Sequence, residues 1–290
     1  MTVGGRRALV FGGSGQVGAA VLERLLQAGW TVDATSREVR PERPGIRWLR
    51  GGFEAMPALA GGYDAILSCG PLDHYARWQS TAGVAAPRMV AFGSTSLAVK
   101  RDSAEAAERE LAERLAAAEA ALFAAARARG GEAIVLRPTL VYGTGRDQSL
   151  SRIAVMARRW RAFPLPRGAV GLRQPVHVDD LADTAMAALH ARDAGGRGYD
   201  LPGGETLAYR DMVARVLAAL DPPARLLELP APLFAALAAA LRAGGRLQGF
   251  GAGAQARLRE DLVFDIAPAA AALGHAPRPF RPDAAMFAPR

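Results

Sequence analysis

The sequence predicts an α/β protein: a doubly wound parallel sheet with a smaller, mainly helical C-terminal lobe. Three observations predict it. Apolar strand-like runs alternate with helical patterns over the first two hundred of 290 residues, the signature of βαβ units. The first run is followed at once by a glycine-rich turn and a helix. Beyond Arg137 the alternation loosens, and from Thr206 on helical patterns dominate.

Strands are expected at residues 7–11, 31–35, 46–49, 65–68, 88–92 and 133–137. Helices are expected at 16–28 and 103–129. In the longer helix Leu111, Leu115, Leu122 and Phe123 share one face, and Asp102 or Ser103 is placed to cap it. Residues 138–145 read as a Pro/Gly-rich loop leading to a basic helix at 149–161. A strand at 175–178, a helix opening at Asp179 and a strand at 199–201 follow. The sheet domain is expected to span 1–203, with 146–173 contributing to the lobe, and the lobe to span 204–290. Residues 231–241 are apolar nearly all round and too short to cross a bilayer, so they read as a buried helix or else as a sticky surface for a membrane or partner. The proline-rich tail from His275 reads as extended.

Half the residues are hydrophobic and 22% are charged, enough to bury a sizeable core. A net charge of +8 favours anionic partners, such as phosphorylated ligands, nucleic acid or anionic membrane. An arginine-rich soluble surface accounts for it equally. No aromatic platform for single-stranded nucleic acid is evident. The single cysteine, Cys69, excludes an internal disulfide and a Cys-based zinc site, and no other metal-ligand set stands out. The N-terminus lacks a signal-peptide apolar core of ordinary length, and no apolar run is long enough to span a membrane, so a cytoplasmic location is expected.

The strand RALVF runs into GGSGQVG and then a helix. Gly12, Gly15 and Gly18 give a tight strand-to-helix turn with no side chains in the way. The main-chain N–H groups of this turn, with Ser14, Gln16 and Val17, then face a pyrophosphate at the helix N-terminus. Gly18 lets the helix pack closely on the sheet. The position between a strand and a helix at the head of a βαβ series makes this a dinucleotide site. The second strand selects the coenzyme: an acidic residue at its end suits the ribose of NAD, an arginine the 2′-phosphate of NADP. Here TVDATSR ends in Ser36 and Arg37, so NADP is expected over NAD; Asp33 lies too early in the strand.

These features, with FGSTS after the fifth strand, LRPTLVYGTGR (136–146), RQPVHVDDLA (173–182) and YDLPGGETLAYRDMV (199–213), resemble the extended short-chain dehydrogenases/reductases of the NAD(P)-dependent epimerase/dehydratase type. The resemblance runs from residue 6 to about 215. It implies a Rossmann sheet, a nicotinamide coenzyme that also meets Cys69 and Pro138, and a phosphorylated or sugar-like substrate. Such proteins use a Ser or Thr with a Tyr-x-x-x-Lys pair, whose lysine lowers the tyrosine pKa. Thr95, or its neighbour Ser94, takes the first position. No tyrosine is followed by lysine four residues on. Matching by distance to the LeuArgPro segment puts Leu111 and Leu115 where the pair is expected.

Lys100 is the only lysine among 36 Lys and Arg residues. It is a candidate proton-moving group beside Arg101, or a loop lysine pairing with Asp102. His74 and Asp73 lie after the fourth strand as further acid–base or substrate-binding candidates. Arg173 takes the position that meets the substrate phosphate in relatives, and Arg152, Arg158, Arg159, Arg161 and Arg167 add a basic cluster. His177 and Asp180 read as fixing the strand–helix junction. Two functions remain open: an enzyme with a non-standard acid–base group, and a redox-silent NADP-binding regulatory or assembly protein. A homodimer through the long helix follows by analogy only.

Overall fold

The computed structural model describes residues 5–57, 59, 61–81, 84–243 and 257–287. In chain order the elements are β1 (Arg7–Phe11), α1 (Gln16–Gln27), β2 (Thr31–Ser36), β3 (Ile46–Arg50), β4 (Ala65–Ser68), α2 (Leu72–Thr81), β5 (Arg88–Phe92), the short α3 (Ser96–Val99), α4 (Ala106–Ala128) and β6 (Glu132–Pro138). Then follow β7 (Val141–Tyr142), α5 (Leu150–Trp160), β8 (Ala162–Pro166), β9 (Leu172–Arg173), β10 (Val176–His177), α6 (Val178–Ala188) and β11 (Arg197–Leu201). The remainder holds β12 (Leu207–Ala208), α7 (Tyr209–Ala219), β13 (Arg225–Leu229), α8 (Ala231–Ala243) and α9 (Ala267–Leu273).

The chain divides into two compact units. The first comprises Met1–Thr139, Val178–Leu201 and Asp265–Ala276; the second comprises Leu140–His177, Pro202–Phe264 and Pro277–Arg290. The first unit is built on a seven-stranded sheet in the order β11-β6-β5-β4-β1-β2-β3, and every neighbouring pair is parallel. The strand order reverses between β1 and β4, where ligands of open α/β sheets bind beyond the carboxyl ends of the strands. β1 reads RALVF because it is buried on both faces. Leu9 and Phe11 join Ile66, Tyr75, Met89 and Leu122 in the core under α2 and α4. The alternate residues Ala8 and Val10 face the opposite side. Helices α1 and α6 pack together, tied by Arg24 Nε to Asp183 at 2.6 Å.

Helix α4 starts at Ala106, three residues after the expected cap. Ser103 instead closes the preceding turn: its Oγ accepts from the Glu105 N–H and donates to Glu108. The second unit carries, among its described residues, three two-stranded ladders beside its helices. None of these pairings was expected from the sequence, which placed only a strand at 175–178 in this unit. Helix α8 departs from the expected all-round burial. Phe234 and Ala238 are buried, but Leu233 is 60% and Leu237 36% exposed. No helix among the described residues is long and apolar enough to cross a membrane.

Candidate functional site

At the end of β1 the chain turns through Gly12, whose φ of 68° lies in the left-handed region that glycine tolerates. The Gly15 N–H closes the turn on the Gly12 carbonyl at 2.9 Å. The turn lies hard against the exit of β4, since a Cβ on Gly12 would come within 3.0 Å of the Cys69 carbonyl carbon. A Cβ on Gly18 would stand 2.1 Å from the Gly12 oxygen, so α1 rests directly on the turn. A helix leaves its first N–H groups without intrahelical partners, and no side chain caps α1. The Ser14–Gly18 segment therefore fits a pyrophosphate at the sheet's switch point.

At the end of β2, Ser36 is buried, and its Oγ accepts from the Glu38 N–H at 3.2 Å and from Arg40 Nε at 3.3 Å. Arg37 is exposed. Arg40, which the sequence did not single out, is thus the arginine held at the strand end, its other nitrogen meeting Glu38 at 2.9 Å. Asp33 belongs to a different network. It accepts from Arg7 at 2.6 Å, from both nitrogens of Arg47 at 2.8 and 2.6 Å, and from the Tyr63 hydroxyl at 2.6 Å. Burial raises its pKa, but the Arg47, Tyr63 and Arg7 hydrogen bonds outweigh burial and hold it below the usual carboxylate value.

At the β4 exit the Cys69 N–H donates to the Phe11 carbonyl, and burial pushes the Cys69 thiol up to about 12. Asp73 pairs with Arg114 at 3.1 Å, and His74 Nδ1 lies 3.8 Å from Glu54. After β5, Thr95 Oγ1 donates to the Pro138 carbonyl at 3.3 Å, and Ser94 Oγ lies 3.0 Å from Ser96 Oγ. Lys100 pairs not with Asp102 but with Glu108, at 3.1 Å. That pair is partly exposed, so Lys100→Ala is expected to cost no more than about 1 kcal/mol, read as a small shift in the unfolding midpoint.

In the second unit Arg173 is 6% exposed. One of its terminal nitrogens donates to the carbonyls of Leu172 at 2.7 Å and Glu260 at 2.8 Å, and the other donates to the Arg257 carbonyl. Burial lowers its pKa. Arg173, expected to meet a phosphate, instead gives three N–H bonds to main-chain oxygens, two of them brought up by residues 257–260. Arg158 likewise donates to the Phe287 carbonyl, whereas Arg152, Arg159, Arg161 and Arg167 are exposed. His177 is buried and packs edge-on against Tyr142 at 5.0 Å.

Residues 100–201 match the model of the NAD dependent epimerase/dehydratase family. UDP-glucose 4-epimerase of Vibrio cholerae is 27% identical over 119 residues, 40% of this chain and 35% of that protein; the match spans about a third of the relative's length. Among solved structures, UDP-glucuronic acid 4-epimerase from Bacillus cereus in complex with NAD superposes with a TM-score of 0.70 at 12% identity, over 93% of each chain. An epimerase from Methanothermobacter thermautotrophicus gives 0.68 at 16% identity, over 94% of this chain and 88% of that one. At these identities the likeness is one of fold.

Leu111 and Leu115 both lie half-buried on α4. One turn further on, Glu119 is buried and takes Arg137 in a two-pronged pair, with Nε at 2.8 Å. A Cβ on Gly93 would lie 3.5 Å from the Glu119 carboxylate, so this pair underlies the loop that carries Ser94 and Thr95. The sequence signal for it was a lone Glu on the apolar stripe of a helix. The three tyrosines of the first unit are buried: Tyr75 in the aromatic core, Tyr63 on Asp33, and Tyr199 donating to the Ala194 carbonyl.

Proposed function

We propose that this chain binds a nicotinamide dinucleotide, NADP in preference to NAD, and acts in the manner of the epimerases and dehydratases on a small phosphorylated or sugar-like molecule. The observation that carries the reading is the glycine turn, with α1 seated on it and no side-chain cap at the helix start. The main-chain N–H groups at the start of α1, other than that of Gly15, would receive the pyrophosphate, and Ser36, Arg37 and Arg40 the ribose 2′-phosphate. Guanidinium forks suit that group. When bound, the nicotinamide takes up or releases a hydride.

The chain's own residues would position the second ligand. The Thr95 hydroxyl already donates to Pro138, so its lone pairs are what it offers; it orients a ligand hydroxyl rather than a carbonyl. A second reading, a redox-silent coenzyme binder, is favoured by the commitment of Lys100 to Glu108 and by leucines at 111 and 115.

Fluorescence titration with NADPH and NADH tests the coenzyme. Arg40→Ala is expected to weaken NADPH about tenfold, roughly 1.4 kcal/mol, and to leave NADH unchanged. An equal loss for both would show that Arg40 does not read the 2′-phosphate. Turnover on carbonyl and nucleotide-sugar panels separates the two readings. Tight binding without turnover, unaltered in Lys100→Ala, selects the silent one.

A further inference from the structure

We propose that the second unit contains a small-ligand site of its own, which takes an apolar-bodied molecule ending in one anionic group met by Arg152. This goes beyond the function proposed above and does not depend on it.

A cavity of about 220 Å³ lies among α5, β8, α7, α8 and Leu258, all within the second unit. Its walls are mostly apolar and include Ile153, Met156, Phe163, Leu165, Phe234 and Leu237. Its polar lining on α5 gathers at one end of that helix, where Gln148, Ser149 and Arg152 occupy the first turn and its approach. A slot with an apolar body and a few convergent polar groups is the usual form of a small-molecule site. Its volume falls below the ~300–1,000 Å³ typical of sites for drug-sized ligands.

The charge pattern fixes the head group. Arg152 is exposed at this rim and has no hydrogen-bond or ion-pair partner among the described residues. The start of α5 is already occupied: Asp147 accepts from the N–H groups of Ser149 and Ser151 at 3.0 and 3.1 Å. Recognition of an anion therefore falls to the guanidinium rather than to the helix end. Arg173, the second cation that a diphosphate would call on, is buried, with both terminal nitrogens donating to the carbonyls of Leu172, Glu260 and Arg257. One unpartnered cation among the described residues, above an apolar slot, matches one anionic group on an apolar body, and does not match a nucleoside diphosphate.

Isothermal titration of the full chain with n-octyl phosphate, octanoate, octan-1-ol and UDP-glucose tests this. Both anions are expected to bind at least tenfold more tightly than the alcohol, and the stronger of the two identifies the head group. Arg152→Gln is expected to lose tenfold or more for the anions while leaving the alcohol unchanged. Met156→Trp, which fills the slot, is expected to weaken all three aliphatic probes. Octanol binding as tightly as the anions, UDP-glucose displacing octyl phosphate, or an unaltered Arg152→Gln would each overturn the proposal. If Met156→Trp unfolds, Arg152→Gln carries the test alone. NADPH is titrated in parallel. Loss of coenzyme binding with octyl phosphate retained overturns the proposed function and not this site; the reverse overturns this site alone.

Discussion

Replacing Asp33 by alanine is expected to destabilise the first unit by about 3 kcal/mol, the lower end of what breaking a buried ion pair costs. The lower end applies because the two partners are not equally buried: Arg7 is 29% and Arg47 51% exposed, against 5% for Asp33. Both arginines can turn to water once the carboxylate is gone, whereas the Tyr63 hydroxyl, buried and bonded to Asp33 at 2.6 Å, cannot. The unfolding midpoint should fall by roughly 5–10 °C. The carboxylate's folded pKa is depressed, so its contribution is fully present above the unfolded value of about 3.9 and is lost as pH falls through the folded value. Acid titration of stability should therefore be shallower in Asp33→Ala than in the parent chain. Equal acid slopes in the two proteins would show that Asp33 is not held as an ionised group.

Gly18→Ala is the second large effect. The added methyl would meet main-chain atoms: the Gly12 oxygen at 2.1 Å, and the Gly12 carbonyl carbon and Gly13 Cα at 2.8 Å. No side chain can swing aside to relieve this, so either α1 lifts or the turn opens. The strain belongs at the upper end of the overpacking range, about 3 kcal/mol. Because the displaced atoms are those proposed to face the pyrophosphate, NADPH affinity should drop about a hundredfold, roughly 2.7 kcal/mol. Circular dichroism with coenzyme titration on the same sample checks both effects. A folded Gly18→Ala protein that binds NADPH as the parent does would contradict the close seating of α1 on the turn.

Legibility followed burial and locality. The six strands expected in the first 140 residues lie in the central sheet; β1, β4, β5 and β6 are short apolar runs between turn residues that the sheet buries, while the edge strand β3 is only partly buried. The glycine turn was readable for the same reason: its geometry depends on residues within one βα unit. β13 was missed because it pairs with β8, whose Pro164 and Pro166 lack the N–H a ladder uses, and because Leu227 stays 45% exposed. The burial of Arg173 was not readable, since the carbonyls that hold it come from residues 84 to 87 positions further on. Helix α8 looked buried because alanine is apolar on any face; among its described side chains Phe234 and Ala238 are the buried ones. Arg40 escaped notice because its approach to Ser36 depends on the path of the chain after β2.

The first unit is assembled from three separated stretches of chain, and its last contribution comes late. Helix α9 packs against β11 and α6, and His275 Nδ1 lies 2.8 Å from the Thr184 hydroxyl, both residues buried. During translation the first six strands of the sheet leave the ribosome well before these partners exist. The nascent domain must wait, with the outer surface of α6 uncovered, until residues 265–276 are out of the exit tunnel. A chain stopped at residue 203 would carry every strand of the large sheet and still lack its closing piece, and so should depend on chaperones in the cell where the full chain does not.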